Sequence, residues 1–359
     1  MREDISTWFW KARKLTVYAQ RRKRLLALAK GKQVVAFTAP NLFYLTDFFG
    51  GGAAVVHRDK TVVITTPLEA DRAGEVSEEA EVVVVGKWAE VGKEVTRRVK
   101  GKALVDSAGE LGPSHALPSP ELFLEARRAK DEQEIQRLKR ACEGTDRVFE
   151  ALEDELKPGK TEWELAAAVM KVALEQKMTP SNSESSLGPV IIASGPHGAY
   201  GHSELTDRRI GPGDFVVADL FFRYEGYHSD ETRTFAVGTV SPEMKKHYAV
   251  VREAQQAAID AAKTGALCGE VSDAAVGVLR RNRADRLLNH SVGHGVGIDI
   301  HELPKITAGN RARLRANDVI TDEPGIYVVG KYGIRIEDTL RVDGKPEVLT
   351  RFTKDLVTC

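Results

Sequence analysis

Two strand-like runs, residues 215–222 and 227–235, flank a short turn ending in Gly226, and an aspartate sits in or beside each. Apolar and aromatic runs on either side of a glycine turn read as a β-hairpin. A pairing of Phe222 with Tyr227 sets Asp219 opposite Asp230 on one sheet face. Directly opposed like charges destabilise a sheet. Asp219 follows Val216-Val217-Ala218 and precedes Leu220-Phe221-Phe222, a setting that disfavours leaving the pair in water. A cation between the carboxylates is the simplest resolution, so the chain must fold around a buried acidic pair.

Three further positions carry the same signature. His294 lies in Ser291-Val-Gly-His-Gly-Val-Gly297, where flanking glycines leave open approach to the imidazole. Glu323 ends a strand-like run (318–323) at a Pro324-Gly325 turn. Glu337 lies in Ile334-Arg-Ile-Glu-Asp338, where alternation puts Ile334 and Ile336 on one face and Arg335 and Glu337 on the other. Taken singly, such residues are usually exposed acids or structural histidines. Together they describe a carboxylate-rich site that suits Mn²⁺, Co²⁺ or Zn²⁺ better than Cu⁺, which prefers sulfur.

The rest of the chain gives these residues a two-domain setting. A length of 359 residues corresponds to about two domains. Short β runs near residues 34–37, 53–56, 61–65, 82–85 and 103–105 alternate with helical stretches, which suggests a small α/β domain. It ends near Gly112-Pro113-Ser114 and Pro118-Ser119-Pro120. From Glu125 the character changes to long charged helices followed by mostly β sequence. Pro158-Gly159 stops the first helix, and Thr161-Glu162-Trp163-Glu164 reads as a capping box opening the next. The expected fold class is α+β, with helices packed on a largely antiparallel, curved sheet.

Residues 5–46 contain no acid and interleave Lys11, Arg13, Lys14, Arg21, Arg22, Lys23 and Arg24 with Trp8, Phe9, Trp10, Leu25 and Leu26. This is a basic amphipathic helix, read here as a solvated face packed on its own domain. Lys+Arg and Asp+Glu balance at 52 each, so nucleic acid is not expected as a partner. No apolar run approaches the ~20 residues of a membrane span. Cys142, Cys268 and Cys359 are scattered and odd in number, which excludes a disulfide scaffold and fits a reducing cytoplasm.

Taken as a set, these residues resemble the pita-bread-fold metallopeptidases, the group of prolidase, aminopeptidase P and methionine aminopeptidase. The matching motifs are Asp219-Leu220, Ser229-Asp230-Glu231-Thr232-Arg233-Thr234, Gly293-His294-Gly295 with His301-Glu302, Glu323-Pro324-Gly325 and Arg335-Ile336-Glu337-Asp338. The likeness is strong over 125–359. It extends through Asn41-Leu-Phe-Tyr-Leu-Thr46 to an amino-terminal domain that methionine aminopeptidases generally lack. It implies an α/β domain over 1–122 and a pita-bread catalytic domain over 123–359. It also implies two divalent ions held by Asp219, Asp230, His294, Glu323 and Glu337, with Asp230 and Glu337 bridging. His202, His290 and His301 match family positions that move protons and hold the substrate carbonyl, whereas His197 and His228 are read as structural. Arg335 is expected to orient the metal-binding carboxylates.

The activity so implied is hydrolysis before proline by a metal-bridging hydroxide, the two ions sharing a water and lowering its pKa. Glu323 would relay the proton. Xaa-Pro bonds are tertiary amides without an N–H, so a pocket for the pyrrolidine ring is needed. Two departures bear on substrate. Phe221 stands where many relatives have glycine, and Lys305 stands near where prolidases often place an arginine for the substrate carboxylate. The short chain favours an Xaa-Pro dipeptidase over an aminopeptidase P acting on longer peptides. A non-catalytic scaffold or a creatinase-like enzyme would normally lack the full ligand set. The resemblance also implies a homodimer.

Overall fold

The computed structural model describes residues 5–107, 115–181 and 190–359, with side chains from residue 17 onward. The Gly112-Pro113-Ser114 turn and the side chains of Trp8, Phe9, Trp10, Lys11, Arg13 and Lys14 lie outside these. The chain forms two compact units that meet between Arg127 and Arg128.

The first unit contains β1 (Gln33–Ala36), β2 (Ala53–Val56), β3 (Thr61–Thr65), β4 (Ala80–Val84), β5 (Ala103–Val105) and β6 (Ala116–Pro118). They make one sheet in the order β4-β3-β2-β1-β5-β6, antiparallel in the middle and parallel at both flanks. Helices α1 (Ile5–Leu28), α2 (Ala39–Thr46), α3 (Pro67–Val76), α4 (Val91–Arg98) and α5 (Pro120–Arg128) accompany it. The core is Val35, Val55, Val62, Ile64, Val91, Val95 and their neighbours. The described part of α1 is not simply solvated on its basic face. Arg21 is buried, donates to Tyr44 O at 3.1 Å and lies over the Tyr18 and Tyr44 rings. Arg22 reaches Glu79 at 3.0 Å. Long cationic side chains cover apolar surface with their stems, so a basic helix can pack through its arginines.

The second unit opens with α6 (Glu132–Glu155) and α7 (Glu162–Glu175). Both begin with a capping box, Asp131 with Glu134 and the expected Thr161 with Glu164. Strands β7 (Thr179–Pro180), β8 (Ile191–Ser194), β9 (Phe215–Leu220), β10 (Phe222–Tyr224), β11 (Tyr227–His228) and β12 (Glu231–Ala236) follow. After α8 (Pro242–Ala261) and α9 (Cys268–Arg281) come β13 (Gly293–Gly295), β14 (Glu302–Ile306), β15 (Val319–Asp322), β16 (Gly325–Val328), β17 (Tyr332–Arg335), β18 (Asp338–Arg341) and β19 (Glu347–Val348). Among the described residues the named strands of this unit pair antiparallel with one another. One apolar core packs α6 and α7 against β8, β9 and β12; another packs α8 and α9 against the later strands. Among the described residues no helix is long and apolar enough to cross a membrane.

Two hairpins position the acids. In the first, the turn is only Glu225-Gly226, both at positive φ (46° and 85°), as a type I′ turn requires. Tyr224 therefore pairs with Tyr227, and Asp219 faces Thr232 rather than Asp230. Counting residues 223–226 as loop misplaces the register by two. Asp230 lies two residues from Thr232, diagonal to Asp219 on the same side. In the second hairpin Val319 pairs with Arg341, Asp322 with Asp338, Gly325 with Arg335 and Val328 with Tyr332. One register runs through all four pairs. It places Glu323 and Glu337 at facing positions in the gap between the paired segments.

Candidate metal centre

Four of the expected ligands come from these two hairpins, and His294 comes from the middle of β13. Glu337 N–H donates to Thr232 O at 3.0 Å, and Thr232 Oγ1 donates to Glu337 Oε2 at 2.6 Å, which stitches the second hairpin to the first. Thr339 holds Asp230 through the backbone, donating to Asp230 O at 2.8 Å. Glu323 N–H donates to Val292 O at 2.7 Å. His294 N–H donates to Thr321 Oγ1 at 3.1 Å. The glycines beside His294 serve backbone packing rather than open approach. A Cβ on Gly293 would stand 2.1 Å from Thr321 O, and one on Gly295 2.1 Å from Leu303 O.

Ligand atoms of Asp230, His294 and Glu337 lie within 4.8 Å of one another. His294 Nδ1 faces Gly295 O at 3.0 Å, so that nitrogen carries the proton and Nε2 presents a lone pair. Nε2 stands 3.5 Å from Asp230 Oδ2 and 3.4 Å from Glu323 Oε1. Burial depresses the His294 pKa to about 3, so the imidazole is neutral at physiological pH. Its lone pair thus faces two carboxyl groups that burial and mutual repulsion drive to hold protons, a conflict that a divalent cation would relieve. Asp219 adds a buried Oδ1 that has no hydrogen-bond partner, while its Oδ2 accepts from Arg335 Nη2 at 2.6 Å.

The acids crowd one another. Burial first, then Asp219 and Glu323, raises the Asp230 pKa well above the usual carboxylate range. Burial first, then Asp230 and Glu323, does the same for Glu337. Burial pushes Glu323 up to about 8, with Asp219 adding to the shift and Arg335 opposing it. Inward-facing acceptors without donors are what a divalent cation would satisfy, and mixed imidazole and carboxylate donors suit such ions. The residues fit a divalent metal.

Arg335 is buried and forks among Asp219, Tyr327 Oη at 2.8 Å and Thr232 Oγ1 at 3.1 Å. Tyr327 was not singled out from sequence. Its hydroxyl also meets His290 Nε2 at 2.8 Å. The only hint was its place on a strand directly after Glu323-Pro324-Gly325. Burial, then Arg335, lowers His290 to about 4. The His301 ring stands 4.4 Å from the His294 ring and is exposed. His202 is exposed too, and its charge reaches both His290 and His301. Lys305 is exposed on β14 and its charge reaches His301.

His197 and His228 are bonded within the scaffold, His197 to Glu162 at 3.2 Å and His228 to Ser181 Oγ at 2.7 Å. Arg233 was also missed as an individual residue. It is buried and donates to Glu337 O at 2.5 Å and Asp338 Oδ1 at 2.8 Å, fixing the backbone that carries Glu337.

An antiparallel α+β unit that gathers an imidazole among buried carboxylates has the donor set of a divalent-metal site. The chain belongs to metallopeptidase family M24, whose model matches residues 136–344; the creatinase/prolidase N-terminal domain matches residues 21–112. It is 33% identical to the Xaa-Pro dipeptidase of Pyrococcus furiosus, over 88% of this chain and 92% of that one. It is 38% identical to the Xaa-Pro dipeptidase of Pyrococcus horikoshii, in a match spanning 64% of each chain. The solved Xaa-Pro dipeptidase from Bacillus anthracis superposes with a TM-score of 0.86 at 27% identity, over 95% of this chain and 100% of that one. Both units thus have the fold class expected from the sequence.

Proposed function

We propose that this metallopeptidase cleaves Xaa-Pro dipeptides. The observation that carries the reading is the convergence of His294 Nε2 on the buried, mutually repelling carboxyls of Asp230 and Glu323 at 3.4–3.5 Å. Asp219, Asp230, His294, Glu323 and Glu337 would together hold two divalent ions. When bound, such ions supply a water activated at neutral pH and a Lewis acid for the scissile carbonyl.

The chain's own residues do the remaining work. Glu323 takes the proton of the attacking water and returns it to the proline nitrogen, which has none of its own. His301, close to His294, donates to the carbonyl oxygen as charge develops there. His290, held by Tyr327, and His202 line the same space and orient the substrate. Arg335 keeps Asp219 aimed. Lys305 offers a point charge to the free carboxylate of a dipeptide, a weaker clamp than an arginine fork. The domains work as an amino-terminal unit over 1–122 and a catalytic unit over 123–359. The enzyme is a cytoplasmic homodimer with Mn²⁺, Co²⁺ or Zn²⁺ as its ions, and neither nucleic acid nor membrane as a partner.

The test is a panel of Leu-Pro, Gly-Pro and Leu-Pro-Xaa peptides offered to chelated protein restored with one metal at a time. Cleavage of the dipeptides after restoration supports the reading. Cleavage of tripeptides alone would make the enzyme an Xaa-Pro aminopeptidase. Light scattering on a sizing column checks the dimer.

A further inference from the structure

Glu162 is a fully buried carboxylate that the reaction above does not use. It opens α7 directly after the Thr161 cap, where the helix dipole favours negative charge. Its Oε1 accepts from Ser194 N and Ser194 Oγ, both at 2.8 Å. Its Oε2 accepts from Thr206 N at 3.0 Å and Thr206 Oγ1 at 2.6 Å. His197 Nδ1 lies 3.2 Å from Oε2. These partners bracket one stretch of chain, residues 194–206, on the path from β8 to β9.

His202 lies inside that stretch, whose flanks are also seated by Gly198 against Gly333 and by Leu205 in the apolar core. Among the described residues the His202 side chain itself makes no hydrogen bond. Ser203 Oγ lies 2.8 Å from His197 O and 2.9 Å from Tyr200 O, tying the stretch to itself. Arg335 Nη1 reaches Gly201 O at 3.4 Å with the same guanidinium that holds Asp219. Hydrogen bonds to an ionised acceptor are roughly twice as strong as neutral ones. One carboxylate that takes both ends of the stretch therefore sets where its exposed middle stands.

We propose that Glu162 is a positioning residue for His202. By clamping Ser194, His197 and Thr206 it fixes the stretch that presents His202 to His290 and His301. The proposal rests on the reading that His202 acts on the substrate.

The test uses the full-length, metal-loaded enzyme on Leu-Pro. Glu162→Gln keeps the shape and removes the charge, and Thr206→Val removes one clamped hydroxyl that Thr206→Ser retains. We expect E162Q to lower kcat/KM about tenfold, through kcat and at unchanged metal content, as misplacement of a working group does. The same change in a His202→Ala background should cost less than about twofold, because there is no longer a histidine to misplace. T206S should restore what T206V loses. Hydrogen exchange should quicken at the Ser194 and Thr206 amides and remain slow through α7.

Equal losses from E162Q in both backgrounds, or exchange quickened throughout α7, would make Glu162 merely structural and overturn the proposal. A damaged H202A enzyme with unchanged exchange in E162Q would overturn it too, leaving the role of His202 intact. Full activity in H202A would instead refute the role given to His202 and remove the purpose of the clamp.

Discussion

Lys130 and Glu302 form an ion pair at 2.8 Å whose side chains are 0% and 1% exposed. Glu302 follows His301, and its other oxygen accepts from Ile298 N at 3.1 Å and Asp299 N at 3.2 Å. It also fills the space a Cβ on Gly297 would take. The pair therefore holds the turn that ends at His301. Lys130→Met keeps the length of the side chain and leaves a buried carboxylate without its cation. Breaking a buried pair on one side costs about 3–5 kcal/mol. At roughly 2–4 °C per kcal/mol for a unit of this size, the melting midpoint of the second unit should fall by roughly 6–20 °C.

The double variant K130M/E302Q should recover much of that loss, because a neutral amide oxygen still accepts from Ile298 and Asp299. Thermal melts of metal-loaded K130M, E302Q and the double variant, followed by circular dichroism, form the cycle. A K130M loss under about 1 kcal/mol, or a double variant showing the sum of the two losses, would refute the reasoning, since neighbours sharing one interaction should not add.

Three other outcomes follow. Asp219→Ala and Glu337→Ala should each reduce bound metal in elemental analysis and lower peptidase activity at least about a hundredfold. Tyr327→Phe removes the hydroxyl shared by Arg335 and His290, and should lower kcat about ten- to a hundredfold with metal content unchanged. Metal-free protein should lose stability as pH rises from about 7.5 to 9. In that window Glu323, Asp230 and Glu337, with raised folded-state values, bind more protons folded than unfolded. His228, His290 and His294 have folded-state values lowered to about 3, 4 and 3. Their opposing contribution, stability gained with rising pH, is at its half-point at the ordinary imidazole value of 6.5 and nearly complete by about 7.5. Melting midpoints across this range should slope downward, and Mn²⁺ should flatten the slope.

Much of the fold was legible because each signal was local. Thr161 with Glu164, the strands around Val35, Val55 and Val63, and the helices after Pro158-Gly159 depend only on neighbours in sequence. The burial of Arg21 was not legible. A cation at a helical spacing looks solvated until Tyr44 of α2 is brought over it beside Tyr18 of its own helix.

The site was legible in its residue types and less so in its geometry, for a reason that the two hairpins expose. Reading a hairpin requires the turn length, and a register slip moves every cross-strand partner. Four loop residues place Asp219 against Asp230. The two-residue Glu225-Gly226 turn places it against Thr232, with Asp230 on the diagonal. The inference of opposed acids survives in the second hairpin, whose continuous register places Glu323 and Glu337 at facing positions. What links the hairpins is Thr232, whose hydroxyl serves Glu337 while accepting from Arg335. Such a residue leaves no mark in composition or periodicity, because a threonine on a strand is ordinary. The acids announce themselves by sitting where charge is costly. The groups that aim them are chemically unremarkable at their own positions, and only the pairing of distant strands gives them work to do.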